Sequence, residues 1–179
     1  FGSVDGLGLL AVRNIPDFET YRQSLLPLAA QLPYLPDIST CELPEAHYST
    51  GWSHGREQLA PNKPDIAKGS FYANPYVDSI VTYLAERQQK RDAGSCKSAD
   101  WWYQQRDYNP AFYADNVWPT SLPSLRGAFR DLGQLLGHVG ILVAEVCDVY
   151  CSRANVVTDL HGTLTHSRNS KGRLLHYFD

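Results

Sequence analysis

Residues 51–55 read Gly-Trp-Ser-His-Gly, which is the spacing G-x-S-x-G with a histidine directly after the serine. In serine hydrolases this spacing raises a nucleophilic serine on a tight turn between a buried strand and a helix. Ser53 is therefore a candidate nucleophile for acyl transfer. Later residues offer the chain order Ser…Asp…His for the rest of a triad: Asp148, Asp159, His161 and His166.

The segments around this motif do not suit a nucleophile elbow. The ten residues before it, CELPEAHYST, contain Pro44 and several polar positions, so they predict a poor buried strand. The ten residues from Arg56, REQLAPNKPD, contain Pro61 and Pro64, and proline interrupts a helix. A serine hydrolase is therefore only the third functional hypothesis.

Metal-ligating and thiol chemistry has little support in the sequence. None of the six histidines has an Asp or Glu two residues later, so the H-x-D pattern of a facial iron site is absent. The four cysteines form no C-x-x-C pair, and they are predicted to be buried free thiols in a reducing, cytoplasmic compartment. We predict no metal ligand and no catalytic residue in this chain.

Composition and charge are typical of a globular protein. Hydrophobic residues make up 43% of the 179 residues and charged residues 20%. The formal net charge is −3, with 16 basic and 19 acidic residues, so the sequence lacks the basic excess that nucleic-acid binding requires. No apolar run approaches about 18 residues, and the sequence therefore predicts no membrane-spanning segment.

The elements that must position any site are mainly helices. Apolar spacing predicts helices over 16–32, 78–92, 122–152 and 156–166, with strands over 6–14 and 172–178. The 122–152 pattern is apolar on nearly all sides at 139–144, which predicts that this part lies at the centre of the packing. The segments 33–75 and 93–121 are predicted to be loops, with short strands in the first. The predicted fold class is α+β.

Three further stretches carry a family resemblance: KGSFYANP (68–75), NVWP (116–119) and KGRLLHYF (171–178), with the long helix between the last two. Together with GWSHG, this ordered set resembles the isopenicillin N synthase-like non-haem Fe(II) oxygenases. The resemblance covers nearly the whole chain.

The resemblance implies a helical N-terminal region that leads into a double-stranded β-helix, or jelly-roll, core. Residues 1–171 would be the N-terminal oxygenase region of helices, loops and short strands, and residues 172–179 would begin a jelly-roll core that is largely absent from this chain. Such enzymes hold Fe(II) and activate O₂ to oxidise a small organic substrate, and relatives use 2-oxoglutarate as co-substrate. The H-x-D…H iron ligands are missing here, so we expect the chain to be inactive alone.

The same resemblance implies candidate substrate-binding residues. Gly51 and Trp52 match a glycine and an aromatic residue of a substrate-contacting stretch, in which Ser49 replaces an arginine and Ser53 replaces a tyrosine. On the last strand, Phe178 occupies a position that is tyrosine in relatives, and His176 one that is often asparagine. The candidate residues are therefore Ser49, Trp52, Ser53, His176 and Phe178.

The principal alternative is a non-enzymatic helical module with a binding or structural role. The two hypotheses differ in what they expect of strand 172–178. As part of an oxygenase, the strand would leave an open edge in the isolated chain and favour self-association.

Overall fold

The computed structural model describes residues 5–83 and 109–178, and these form an α+β arrangement of helices and two small antiparallel sheets. The α-helices are α1 (Phe18–Leu25), α2 (Ser124–Arg153) and α3 (Leu160–His166). The strands are β1 (Gly51–His54), β2 (Gln58–Ala60), β3 (Lys63–Pro64), β4 (Lys68–Ala73) and β5 (Gly172–Tyr177). Four 3-10 helices fill the segment between α1 and β1: Leu26–Ala30, Leu32–Tyr34, Ile38–Cys41 and Pro44–Ala46.

The predicted elements are confirmed in part. The helix expected over 16–32 is α-helical only to Leu25, because Pro27 interrupts it and a 3-10 helix continues the chain. The long helix and the last strand are confirmed, and α3 begins at Leu160, later than the expected 156. Of the expected 78–92 helix, residues 80–83 are helical, and 84–92 lie outside the described residues.

The expected strand over 6–14 is wrong. The described residues before α1 pair with no strand, and the apolar side chains there are exposed, Leu7 at 86%. An apolar run needs a neighbouring strand to satisfy its backbone hydrogen bonds, and none of the described strands pairs with this one.

The main sheet has the order β1-β4-β5, with both pairs antiparallel. Residues in register share a face, so Trp52, Phe71 and Leu174 project to one side. That side is the core face. It packs on the first turns of α2, where Leu125 and Phe129 are buried, and on α1 and the 3-10 helices.

Helix α2 is the longest element, and its two halves differ. Leu125, Phe129 and Leu132 are buried, but beyond Leu132 only Ala144 is. The prediction that residues 139–144 lie at the centre of the packing is therefore wrong, because apolar character on all sides does not specify which side receives a partner.

The length and composition of α2 would also allow it to cross a membrane, which the count of uninterrupted apolar residues did not reveal. Its most apolar 18-residue window has a mean hydropathy of 1.5, and 6% of that window is buried. It is the single such helix in the described part of the chain, and core helices meet the same criterion, so this is weak support for a membrane role.

Candidate functional site at the polar face of the sheet

The two faces of the main sheet have opposite chemistry because β4, Lys-Gly-Ser-Phe-Tyr-Ala, alternates strictly. Gly69, Phe71 and Ala73 face the core, whereas Lys68, Ser70 and Tyr72 face the other way. The register then adds Ser53 from β1 and Arg173 from β5 to this second side. We call it the polar face, defined by Ser53, Lys68, Ser70, Tyr72 and Arg173.

A hydrogen-bonded network covers the polar face. The Arg173 guanidinium donates to Ser70 Oγ from Nε at 3.2 Å and from Nη2 at 2.8 Å, and Nη2 also donates to Glu57 Oε1 at 2.6 Å. Tyr72 Oη donates to the same Glu57 oxygen at 3.1 Å, and the guanidinium lies 5.1 Å from the Tyr72 ring centre. Arg173 is thereby held in one position above the middle strand.

Lys68 connects this network to a second carboxylate. Its Nζ lies 2.8 Å from Glu57 Oε2 and 2.9 Å from Asp65 Oδ2, and these contacts raise the pKa of Lys68 to about 12. The hydrogen bonds from Lys68 hold the pKa values of Glu57 and Asp65 below their usual range. The positive charges of Arg173 and Lys68 therefore balance the negative charges of Glu57 and Asp65. A face without net charge is better suited to orienting a polar group than to binding a strongly charged one.

Ser53 lies at the edge of this network, in a shallow polar depression between Gly55, Glu57, Lys68 and Ser70. Its side chain is nearly buried, at 5% exposure. None of the described side chains hydrogen-bonds to Ser53 Oγ, which leaves its donor and acceptor capacity unused. The depression is too shallow to enclose even a water molecule, so any ligand would lie over the polar face and not inside it.

The geometry of Ser53 does not support the nucleophile hypothesis. Ser53 lies within strand β1, paired with Ser70, and the chain turns at Gly55 into β2 where an elbow requires a helix. The neighbouring His54 projects to the opposite face, where its Nε2 lies 2.9 Å from the Ile66 carbonyl oxygen. No general base therefore contacts the serine hydroxyl among the described residues.

The five candidate residues predicted from the sequence do not share one surface. Trp52, His176 and Phe178 lie on the core side, and Ser53 lies on the polar face. Ser49 precedes β1, and its hydroxyl donates to the Ala111 carbonyl at 2.5 Å.

The aromatic members of the set form a cluster at one end of the sheet. The Phe178 ring lies 4.6 Å from the His54 ring and 4.7 Å from the His176 ring, between centres. Trp52 is 3% exposed and covers Gly69, where an added Cβ would lie 2.1 Å from the indole. Trp52 is therefore part of the core, whereas His54, His176 and Phe178 are half-buried and pack on one another.

Arg173, Glu57, Lys68 and Tyr72 are the residues that the sequence reasoning missed. The signal was present in the alternation of β4, which places every polar residue of KGSFYA on one side. Arg173 could not be added without the register between β4 and β5, since that pairing joins residues about a hundred positions apart.

The motifs KGSFYANP and NVWP meet in space and form a structural junction. Asn74 N–H donates to Asn116 Oδ1 at 2.7 Å, and Asn116 Nδ2 donates back to the Asn74 carbonyl at 2.9 Å. Trp118 Nε1 and Asn116 Nδ2 also donate to Asp78 Oδ1, at 2.9 and 3.1 Å. Burial alone would raise the pKa of Asp78, but these donors and Arg126 outweigh it and lower the pKa.

The donor set of the described residues does not fit an iron site. Within residues 5–83 and 109–178, no three His, Cys, Asp or Glu side chains come together as a potential metal group.

Comparisons of the chain with models of protein families, with curated proteins and with solved structures find no match.

Proposed function

We propose that this chain is the N-terminal part of an isopenicillin N synthase-like Fe(II) oxygenase, and that its polar face forms one wall of the substrate pocket. The observation that carries the proposal is the division of the main sheet: a core face packed on α2, and an ordered polar face whose Ser53 hydroxyl has no partner among the described residues. The sequence resemblance supplies the chemical class.

In this proposal the chain's own residues bind and orient a small organic substrate. Arg173 and Ser70 form a rigid donor pair, and Ser53 supplies one further hydroxyl that can donate or accept. The iron ligands, O₂ and any 2-oxoglutarate belong to residues outside this chain, and the jelly-roll fold of those residues is part of the proposal. The three described cysteines are free thiols, which supports a reducing, cytoplasmic location.

The decisive experiment begins with the transcript that encodes these residues. We expect an H-x-D motif shortly downstream of the β5 codons and a second histidine further on. The product of the complete reading frame should bind one Fe(II) in anaerobic calorimetry, whereas residues 1–179 alone should bind none. A reading frame without H-x-D, or stoichiometric Fe(II) uptake by residues 1–179, would contradict the proposal.

Two variants then connect the polar face to turnover. In the complete product, succinate release from 2-oxoglutarate measures the co-substrate reaction independently of the unknown substrate. Once a screen of small organic compounds has found one that stimulates oxygen consumption, Ser53→Trp should leave iron binding intact but abolish that stimulation. Ser24→Trp, at an exposed position of α1, is the matched control and should change neither.

The non-enzymatic alternative predicts different solution behaviour. Within the described residues β5 pairs only with β4, so its outer edge is open. The oxygenase proposal expects residues 1–179 to self-associate through that edge in analytical ultracentrifugation. A monomer that unfolds in one cooperative transition would instead favour the helical module.

A further inference from the structure

A groove that shares no residue with the polar face has the properties of a second ligand site. It has a volume of about 610 Å³ and lies between α1, α2, α3 and the loop after β4. Sites for small organic ligands usually enclose about 300–1,000 Å³. The groove walls combine tyrosine rings with aliphatic side chains, and Arg168 and His138 contribute basic groups.

Two glycines of α2 create the groove wall. Gly133 and Gly137 lie one turn apart, where a Cβ would come within 2.5 Å of Pro75 Cβ and 1.7 Å of Tyr76 Oη. Their missing side chains let the Pro75–Tyr76 segment lie directly on the helix. Gln134 and Arg130 fix this segment by donating to the carbonyls of Pro75 (2.8 Å) and Tyr76 (3.0 Å).

Arg168 is oriented but incompletely satisfied. Its Nη1 donates to the carbonyls of Thr165 (2.8 Å) and Ser167 (2.9 Å), and its Nε donates to Tyr83 Oη (3.3 Å). A guanidinium has five N–H donors, so these contacts leave the two on Nη2 without a partner among the described residues. Within the same residues no carboxylate forms an ion pair with Arg168.

The surroundings of Arg168 select the charge and shape of a ligand. The guanidinium lies 5.8 Å from the Tyr76 ring centre, so an anion on Nη2 would have an aromatic surface beside it. Tyr21, Leu135 and Ile141 extend this apolar wall. Asp131, which also lines the groove, places a negative charge there and disfavours a dianion such as phosphate.

We propose that this groove binds a small aromatic monocarboxylate, with the carboxylate on Arg168 Nη2 and the ring against Tyr76 and the apolar wall. The site is independent of the polar face and of any iron. A negative result for this groove would therefore not contradict the proposed oxygenase function, and the reverse also holds.

Residues 1–179 can be tested directly with cinnamate as the probe and cinnamamide as its neutral counterpart. Titration followed by two-dimensional NMR should show saturable cinnamate binding, with a Kd on the order of 1 mM or tighter for a ligand of this size. Cinnamamide should bind at least about tenfold more weakly, since it lacks the charge. Absence of saturable cinnamate binding, or equal affinity for the amide, overturns the proposal.

Two variants locate the binding. Arg168→Gln should weaken cinnamate binding by about tenfold or more, whereas Arg22→Gln, at an exposed site on α1, should leave it unchanged. Because Arg168 also holds two backbone carbonyls, Ile141→Trp provides a test that preserves them by filling the groove. Loss of binding in Ile141→Trp but not in Val149→Trp, on an exposed face of the same helix, supports the site. Unchanged binding in Ile141→Trp contradicts it.

Discussion

The second half of α2 (139–153) contains more apolar residues than the first half (124–138), yet it is the less buried half. In the first half, Phe129 is 3% exposed and contacts the rings of Phe71 and Trp118. In the second half, Val146 is 67% exposed and Val149 50%. An apolar stripe therefore shows that a helix face can be buried. The number of neighbouring elements decides how much of that face is buried in the folded protein.

The stability of the fold should therefore depend on the first half. We expect Phe129→Ala to lower the free energy of unfolding by about 3–5 kcal/mol, because it leaves a cavity against Gly172 of β5 and the rings of Phe71 and Trp118. Urea denaturation followed by circular dichroism measures the change. Val146→Ala is the matched control and should change stability by no more than about 0.5 kcal/mol. Equal losses in the two variants would mean that the halves do not differ in packing.

The boundary between the halves can be tested at Gly133. An added methyl group would meet the rigid Pro75 ring at 2.5 Å, so Gly133→Ala should destabilise the protein by about 1–2 kcal/mol, even after the gain in helix propensity. The free energy of unfolding from the same urea titration gives this value. A neutral or stabilising result would show that the loop after β4 does not rest on α2.

Gly140 lies two turns further along α2, and its replacement by alanine should stabilise the protein. Beyond the helix's own backbone, no atom of residues 5–83 or 109–178 lies within 4 Å of a Cβ built there, so Gly140→Ala gains helix propensity without a clash. The expected stabilisation is about 0.5–1 kcal/mol, seen as a higher urea midpoint. A loss of stability would indicate that this surface is covered by another part of the chain.

The smallest expected change in stability concerns Asp148, which lies near the end of the exposed half of α2 and anchors α3. Its carboxylate accepts the backbone N–H groups of His161 and Leu160, both at 2.9 Å, and the hydroxyl of Thr158, at 2.7 Å, and these bonds hold its pKa below 3.8. The folded pKa is lower than the unfolded one, so this stabilisation is present above pH 3.8 and is lost as the pH falls further.

Thermal unfolding of the wild-type protein and of Asp148→Asn measures this effect. The variant should melt at a slightly lower temperature than the wild type at pH 7, and the difference should diminish towards pH 3. A difference that stays constant with pH would exclude the carboxylate charge as its cause.

Much of the secondary structure could be read from local pattern. The spacing of Leu125, Phe129, Leu132 and Leu136 identified α2, whereas the first helix was predicted to run to residue 32 and ends at Leu25. The N-terminal strand failed because apolar residues become a strand only when a partner strand accepts their backbone hydrogen bonds, and no local pattern reports a partner.

The candidate site was predicted only in part. Trp52 and Ser53 are neighbours in sequence, and strand geometry places them on opposite faces. The prediction grouped them because the resemblance aligns positions along the chain, whereas a pocket is built by one face of a sheet. Asn74 and Asn116 belong to the motifs KGSFYANP and NVWP, and their reciprocal hydrogen bonds give them a structural role at the junction of two loops.

By itself, the sequence determined the long helix α2, the last strand β5 and the polar side of β4, because these properties follow from the 3.6- and 2-residue periods of the backbone. Tertiary structure alone decided which half of α2 is buried. It also placed Arg173 beside Ser70 and left Nη2 of Arg168 without a partner among the described residues. These outcomes depend on contacts between residues far apart in the chain, and no local periodicity encodes such contacts.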